Sequence, residues 1–246
     1  MKTEQWIQQQ PIAHRGAWGH DAPENSLGAC QKAVDASYPI ELDVQMSADG
    51  AMIVFHDWSL KRMCNVDTVL SDMTKKEISA CILGSSQEHI PTLDDVLALV
   101  RGRVPLLIEM KNKRHDREFF LATLRDILKK YHGNYALSSF DPLLVKKAKK
   151  YFPQISCGQN FTDYKNKSFC GGWVRKIGLY ILWSVSAHMP DFFVCRASLL
   201  PRCWIVSVAH KKNKPLLTWA IKDIAEYNAV KNAIDNEIFD HAPYSV

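Results

Sequence analysis

Eight short runs with β character recur along this chain, with helical patterns between most of them, and that alternation limits the fold more than any other feature. The runs are 11–14, 39–45, 104–111, 134–139, 154–159, 191–195, 214–219 and 236–240; the helical stretches are 27–36, 92–100, 116–131, 142–151 and 221–234. Strands alternating with helices require a parallel sheet covered by helices. Eight such units fit a closed (β/α)8 barrel, whereas an open doubly wound sheet usually has fewer. The length of 246 residues suits one barrel, and a 47% hydrophobic content supplies its core. Two helix starts are explicit. Thr92 precedes Leu93-Asp94-Asp95, placing a hydroxyl at the N-cap and carboxylates in the first turn, and Asp141-Pro142 puts Pro at the first helical position.

One interval breaks the repeat. About sixty residues separate the second and third runs, more than one crossover helix needs. The turn signal Asp49-Gly50 opens a hairpin-like piece at 51–57. The expectation is a single domain over residues 1–246, with 46–91 as a small insertion after the second strand. Such an insertion emerges at the carboxyl ends of the strands, where barrel active sites sit.

Composition narrows the partners. The formal charge of +5 is spread along the chain, and its densest basic run, Lys146, Lys147, Lys149 and Lys150, reads as a solvated helix face. No basic stripe interleaved with aromatics marks a nucleic-acid protein, although a mild positive field suits an anionic small molecule. The seven cysteines, at 30, 64, 81, 157, 170, 195 and 203, form no CxxC pair and fit a reducing compartment. Residues 1–10 are polar and lack the apolar stretch of a secretion signal. The most apolar segment, 177–185, is about half the length needed to span a bilayer, which leaves at most weak contact with a membrane surface. A cytoplasmic location is expected; nothing in the sequence specifies an oligomeric state.

The polar residues at the strand ends are not ones a core would select. His14-Arg15-Gly16 follows the first run; Glu41 and Asp43, two apart on the second, point to one face, as do Glu109 and Lys111 on the third. His56-Asp57 follows the apolar stretch 52–55. Charges facing a barrel interior are costly unless paired or bound to an ion. Three carboxylates at the mouth repel one another, and a divalent cation relieves that repulsion. Oxygen-only ligands suit one Mg²⁺ or Ca²⁺. Two histidines supply a general acid and a general base, and Arg15 and Lys111 supply cations for a phosphate. Singly each signal is ordinary; together they describe phosphoryl chemistry.

The segments His14-Arg15-Gly16, Pro23-Glu24-Asn25-Ser26, Glu41-Leu42-Asp43-Val44 and Phe55-His56-Asp57 together resemble the glycerophosphodiester phosphodiesterase family. The likeness continues through Leu60-Lys61-Arg62, Ser71-Asp72-Met73-Thr74, Ile90-Pro91-Thr92-Leu93, Glu109-Met110-Lys111 and Ser138-Ser139-Phe140-Asp141, and is sparser in Thr218-Trp219 and Ile238-Phe239-Asp240. The resemblance implies a TIM barrel with an insertion after the second strand and metal-dependent cleavage of a glycerophosphodiester to glycerol 3-phosphate and an alcohol. It implies metal-binding roles for Glu41, Asp43 and Glu109, acid–base roles for His14 and His56, and phosphate contacts for Arg15 and Lys111. Glu24 and Asn25 fall near the metal, and Trp219 on the glycerol side of the pocket. Ser26 stands where Thr is more usual, Ala220-Ile221-Lys222 departs from the family pattern after Trp219, and residues 161–172 are unusual. Several readings stay open: which histidine is the acid, and whether water or a glycerol hydroxyl attacks. A related barrel acting on lysophospholipids or sphingomyelin is the nearest rival. An aldolase-like barrel built on Lys111 leaves Glu109 and the histidines without a reason, and a barrel that only binds gives the second histidine none.

Overall fold

The first strand, β1 (Ile12–His14), pairs in parallel with both β2 (Ile40–Met46) and the last strand, β9 (Asn236–Phe239), and so closes the sheet on itself. The computed structural model describes residues 5–162 and 190–240. From β2 the ring runs through β4 (Leu106–Met110), β5 (Tyr135–Ser139), β6 (Cys157–Phe161), β7 (Phe192–Arg196) and β8 (Leu216–Ile221) to β9, every pair parallel. This is a closed eight-stranded (β/α)8 TIM barrel. The ninth strand, β3 (Met52–Val54), is antiparallel to β2 and begins the insertion.

Strand alternation sorts the core into two layers. Ile12, Leu107, Ala136, Phe192, Val194, Leu217 and Ile238 come from six different strands yet form one cluster, which fills the barrel interior. Trp6 and Ile7, on a 3₁₀ turn before β1, join it. Residues of opposite parity, such as Ile40, Leu42, Val44, Leu106 and Ile108, pack outward against the helices. Those helices are α1 (Leu27–Asp35), α4 (Leu93–Val100), α5 (Arg117–Leu128) and α6 (Pro142–Tyr151). Burying one such Leu or Ile contributes about 1.5–3 kcal/mol, so the pattern of alternation strongly determines strand register. Gly158 fits the same logic: a Cβ there would meet the Phe192 ring at 2.1 Å.

The expected helix signals act as read. Thr92 accepts from Asp95 N in a capping box, and Asp141 accepts from Leu143 N and Leu144 N ahead of Pro142. Three elements differ from expectation. The run at 154–159 forms a strand only from Cys157, because Ile155 N closes a turn on Phe152 O at the end of α6. The stretch 221–234 gives a shorter helix, α8 (Ile224–Val230), because β8 extends through Ile221 and Asp223 then caps the helix. The helix α7 (Trp204–Lys212) falls where no helical pattern is read: its sequence WIVSVAHKK is rich in β-formers and has no side-chain N-cap.

The insertion carries β3, α2 (Lys61–Cys64), a 3₁₀ turn (Leu70–Asp72) and α3 (Lys75–Ser79). Ile53, Phe55, Leu60, Leu70, Ile78, Leu83 and Ile90 give it a small core of its own. Among the described residues no helix is long and apolar enough to cross a membrane. The segment 177–185, most of 161–172 and Cys170 lie outside the described residues.

Candidate active site

Along the inward face of the barrel, one two-residue step toward the carboxyl end changes apolar side chains into polar ones. Ile12 is followed by His14, Leu107 by Glu109, Ala136 by Ser138 and Gly158 by Asn160. On β2 this face carries Glu41 and Asp43. Register brings them together, since His14 pairs with Glu41 and Asp43 with Glu109. Carboxylate oxygens of Glu41, Asp43 and Glu109 lie within 4.8 Å of one another, and all three residues are buried.

Their electrostatics are unequal. Burial, then the charges of Asp43 and Glu109, push the Glu41 carboxyl well above the usual range. Burial opposes ionisation of Asp43 too, but Lys111, His56 and Arg15, with a hydrogen bond from Asn25, outweigh it and hold Asp43 low. Lys111 Nζ sits 2.9 Å from Glu109 Oε1 and 3.4 Å from Asp43 Oδ1; burial alone would lower its pKa, and the two acids raise it. The cluster therefore keeps one acid that its own cations do not balance. An oxygen-only donor set with excess negative charge fits a divalent cation of the Mg²⁺ or Ca²⁺ kind.

The loop after β1 is bent to serve this cluster. Arg15 (φ 58°) and Asn25 (φ 59°) adopt left-handed backbone, which costs a non-glycine residue roughly 1–3 kcal/mol. In return Arg15 N donates to Glu41 Oε2 at 3.1 Å, and Asn25 Nδ2 donates to Asp43 Oδ2 at 2.9 Å. Gly16 (φ 83°) lies so close to α1 that a Cβ would meet the Ala29 carbonyl carbon at 2.7 Å. The Arg15 guanidinium is bound to Glu24 Oε1 (2.7 Å) and lies 3.4 Å from Asp43 Oδ2. Ser26, in place of Thr, still caps α1 through its hydroxyl.

Both histidines are held by carboxylates on Nδ1. His14 Nδ1 is 2.5 Å from Asp240 Oδ1, and His56 Nδ1 is 2.6 Å from Asp57 Oδ1. A carboxylate only accepts, so each ring donates from Nδ1 and leaves Nε2 for chemistry. Gln45 Nε2 fixes the hairpin exit by donating to Phe55 O and Asp57 O at 2.7 and 2.8 Å.

An open cavity lies over this cluster, and His14, Arg15, His56 and Trp219 are among its walls. The Trp219 ring is tilted against His14 (6.2 Å) and edge-on to Phe140 (5.9 Å). Thus all eight candidate residues converge, seven on the cavity wall and Lys111 bonded behind it. Sequence reasoning passed over Asn160, whose Nδ2 donates to Glu109 Oε2 at 3.0 Å, and gave no role to Asp57 or Asp240. The two-residue step that selects His14 and Glu109 would have selected Asn160 from Gly158 and Asp240 from Ile238.

The model of the glycerophosphoryl diester phosphodiesterase family matches residues 14–235. The glycerophosphodiester phosphodiesterase of Caldanaerobacter subterraneus subsp. tengcongensis is 31% identical over 157 residues, 60% of this chain and 64% of that protein. Among curated relatives the matched stretch spans as little as 44% of their own length. An Oleispira antarctica phosphodiesterase, solved with the product sn-glycerol-3-phosphate, superposes with a TM-score of 0.78 at 25% identity, covering 96% of this chain and 94% of that one. The glycerophosphodiester phosphodiesterase of Thermotoga maritima gives a TM-score of 0.70 at 26% identity, with 93% of each chain covered.

Proposed function

The chain belongs to the glycerophosphoryl diester phosphodiesterase family, and from that premise we propose that it hydrolyses glycerophosphodiesters to glycerol 3-phosphate and an alcohol. The observation that carries the reading is the meeting of three buried acids with two carboxylate-held histidines in one cavity. The product bound by the Oleispira enzyme supports the same substrate class.

Glu41, Asp43 and Glu109 would hold one divalent cation, Ca²⁺ or Mg²⁺, which would supply Lewis-acid polarisation of the phosphate. Arg15 then offsets charge that grows on the phosphoryl oxygens, and Lys111, already fixed between Glu109 and Asp43, adds to the same field. One histidine Nε2 takes a proton from the nucleophile while the other gives one to the departing alkoxide. Asp57 and Asp240 each hold an Nδ1–H, so that Nε2 is the nitrogen that takes the proton on one ring and gives it on the other. The glycerol end would reach Trp219 Nε1 and Asn160 Oδ1. These are a donor and an acceptor, buried on the cavity wall, with no hydrogen-bond partner among the described residues. A polyol hydroxyl would satisfy either.

The deciding experiment is turnover of glycerophosphocholine after chelation and after return of Ca²⁺ or Mg²⁺. Chelation is expected to abolish release of glycerol 3-phosphate and either ion to restore it. Full activity in a metal-free preparation would remove Glu41, Asp43 and Glu109 from the metal-binding role, and no turnover under any condition would overturn the function.

A further inference from the structure

Arg62 lies outside the cavity, on helix α2 of the insertion, with its side chain 49% exposed. It nonetheless bonds two carboxylates, each of which holds a working group of the site from behind. Its Nε donates to Asp57 Oδ2 at 2.5 Å, and Asp57 Oδ1 holds His56 Nδ1. Its Nη2 and Nη1 donate to Glu24 Oε1 and Oε2 at 2.6 and 3.1 Å, and the same Glu24 Oε1 accepts from Arg15 Nη1. Two guanidiniums, one from the insertion and one from the loop after β1, thus share a single acid.

Resting on the hydrolase reading, we propose that Arg62 is a positioning residue, through which docking of the insertion sets the aim of both His56 and Arg15. A planar fork fixes the separation and the orientation of the carboxylates it spans, which a point charge does less well. Arg62 is half exposed while the Glu24 and Asp57 side chains are 12% and 24% exposed, so the fork reaches inward from the surface to two acids that themselves hold groups of the site. Burial works against ionisation of Glu24 and Asp57. The Arg62 hydrogen bond on Glu24 and the His56 and Arg62 hydrogen bonds on Asp57 lead the effects that outweigh it, and both stay ionised acceptors. No other described residue joins the Glu24 and Asp57 side chains.

The test uses R62M, which keeps the aliphatic stem, and R62K, which keeps a charge without the fork, each in the full chain with glycerophosphocholine and Ca²⁺. R62M is expected to lower kcat roughly 10- to 100-fold, the scale of a misplacement near 1 Å. KM is expected to stay within about threefold, because ground-state binding is left intact. R62K is expected to recover part of the loss. In an E24Q/D57N background R62M is expected to add little, since the route through those acids is already cut. A purely structural role would instead lower Tm and leave the losses additive. A kcat for R62M within about twofold of wild type, or additive losses, overturns the proposal, and R62K decides by the same limits where R62M does not fold. Absence of wild-type turnover overturns the proposed function and this role together; unaltered turnover in the variants overturns this role alone.

Discussion

Replacing Glu41 with Gln perturbs the acid cluster in opposite directions with and without a cation. Within the 4.8 Å that encloses the cluster, two unit charges repel by about 3.5 kcal/mol at an effective dielectric near 20. Glu41 bears this from two neighbours and is buried besides, so its folded-state pKa stands above the unfolded value of 4.5. A group raised in this way stabilises the fold fully below the unfolded pKa, and that contribution is lost as pH rises through the folded pKa. In chelated protein the resulting cost grows by about 1.4 kcal/mol per pH unit above 4.5 until Glu41 ionises. Its ceiling at pH 7 is therefore about 3.4 kcal/mol. Gln does not titrate. E41Q in EDTA is expected to be more stable than wild type by up to that amount, roughly 7–14 °C in Tm for a chain of this size, with the gap closing toward pH 4.5. Cation at about one thousand times the wild-type Kd reverses the order, because wild type gains about 4.1 kcal/mol, more than that ceiling, while E41Q, short of one charged ligand, is expected to gain almost nothing. Thermal denaturation followed by circular dichroism across this pH range, with EDTA and with Ca²⁺ or Mg²⁺, measures all of it. Lower stability of E41Q in EDTA at pH 7, or equal stabilisation of both proteins by the cation, would refute the reasoning.

His14→Ala and His56→Ala are each expected to lower kcat by at least about 10² with the fold intact, and the wild-type pH–rate profile to be bell-shaped; near-wild-type kcat in either variant removes that residue from proton transfer. Gly158→Ala forces a Cβ into the buried Phe192 ring and is expected to destabilise by about 1–3 kcal/mol, as read from chemical denaturation; an unchanged midpoint would mean the ring yields freely. Exchanging choline for ethanolamine or inositol in the substrate is expected to change kcat/KM by less than roughly tenfold, while removing the glycerol, as in bis(p-nitrophenyl) phosphate, strands Asn160 and Trp219 and costs far more. A discriminating alcohol side with a dispensable glycerol would contradict this.

The barrel is legible because each of its strands announces itself locally. A short β-type run bounded by turns is a property of a few neighbouring residues, and all eight barrel strands overlap such runs. The misreadings are local too. WIVSVAHKK reads as β by composition, and only its packing through Ile205 and Ala209 against Phe193, Cys195 and Leu216 makes it the helix α7. Tertiary contacts there override propensity. The strand at 157–161 begins later than expected because the turn on Phe152 is a backbone hydrogen bond, which leaves no mark on residue type.

The site divides along the same line. Glu41, Asp43 and Glu109 stand out by their joint placement at strand ends, since several charges on inward strand faces need a reason that one alone does not. Asp57, Asp240, Glu24 and Arg62 do not, because a carboxylate beside a histidine, or an arginine on a surface helix, is ordinary until distance is known. Asp240 is 226 residues from His14, and Arg62 is 38 from Glu24. Only closure of the barrel and docking of the insertion bring them within bonding range. Residues that contact the cavity are therefore set by strand periodicity, which sequence encodes in short range, whereas residues that aim them are set by topology. It follows that substitutions in the aiming set should alter kcat with little effect on KM or Tm. Substitutions in the acid cluster should alter metal affinity and stability together.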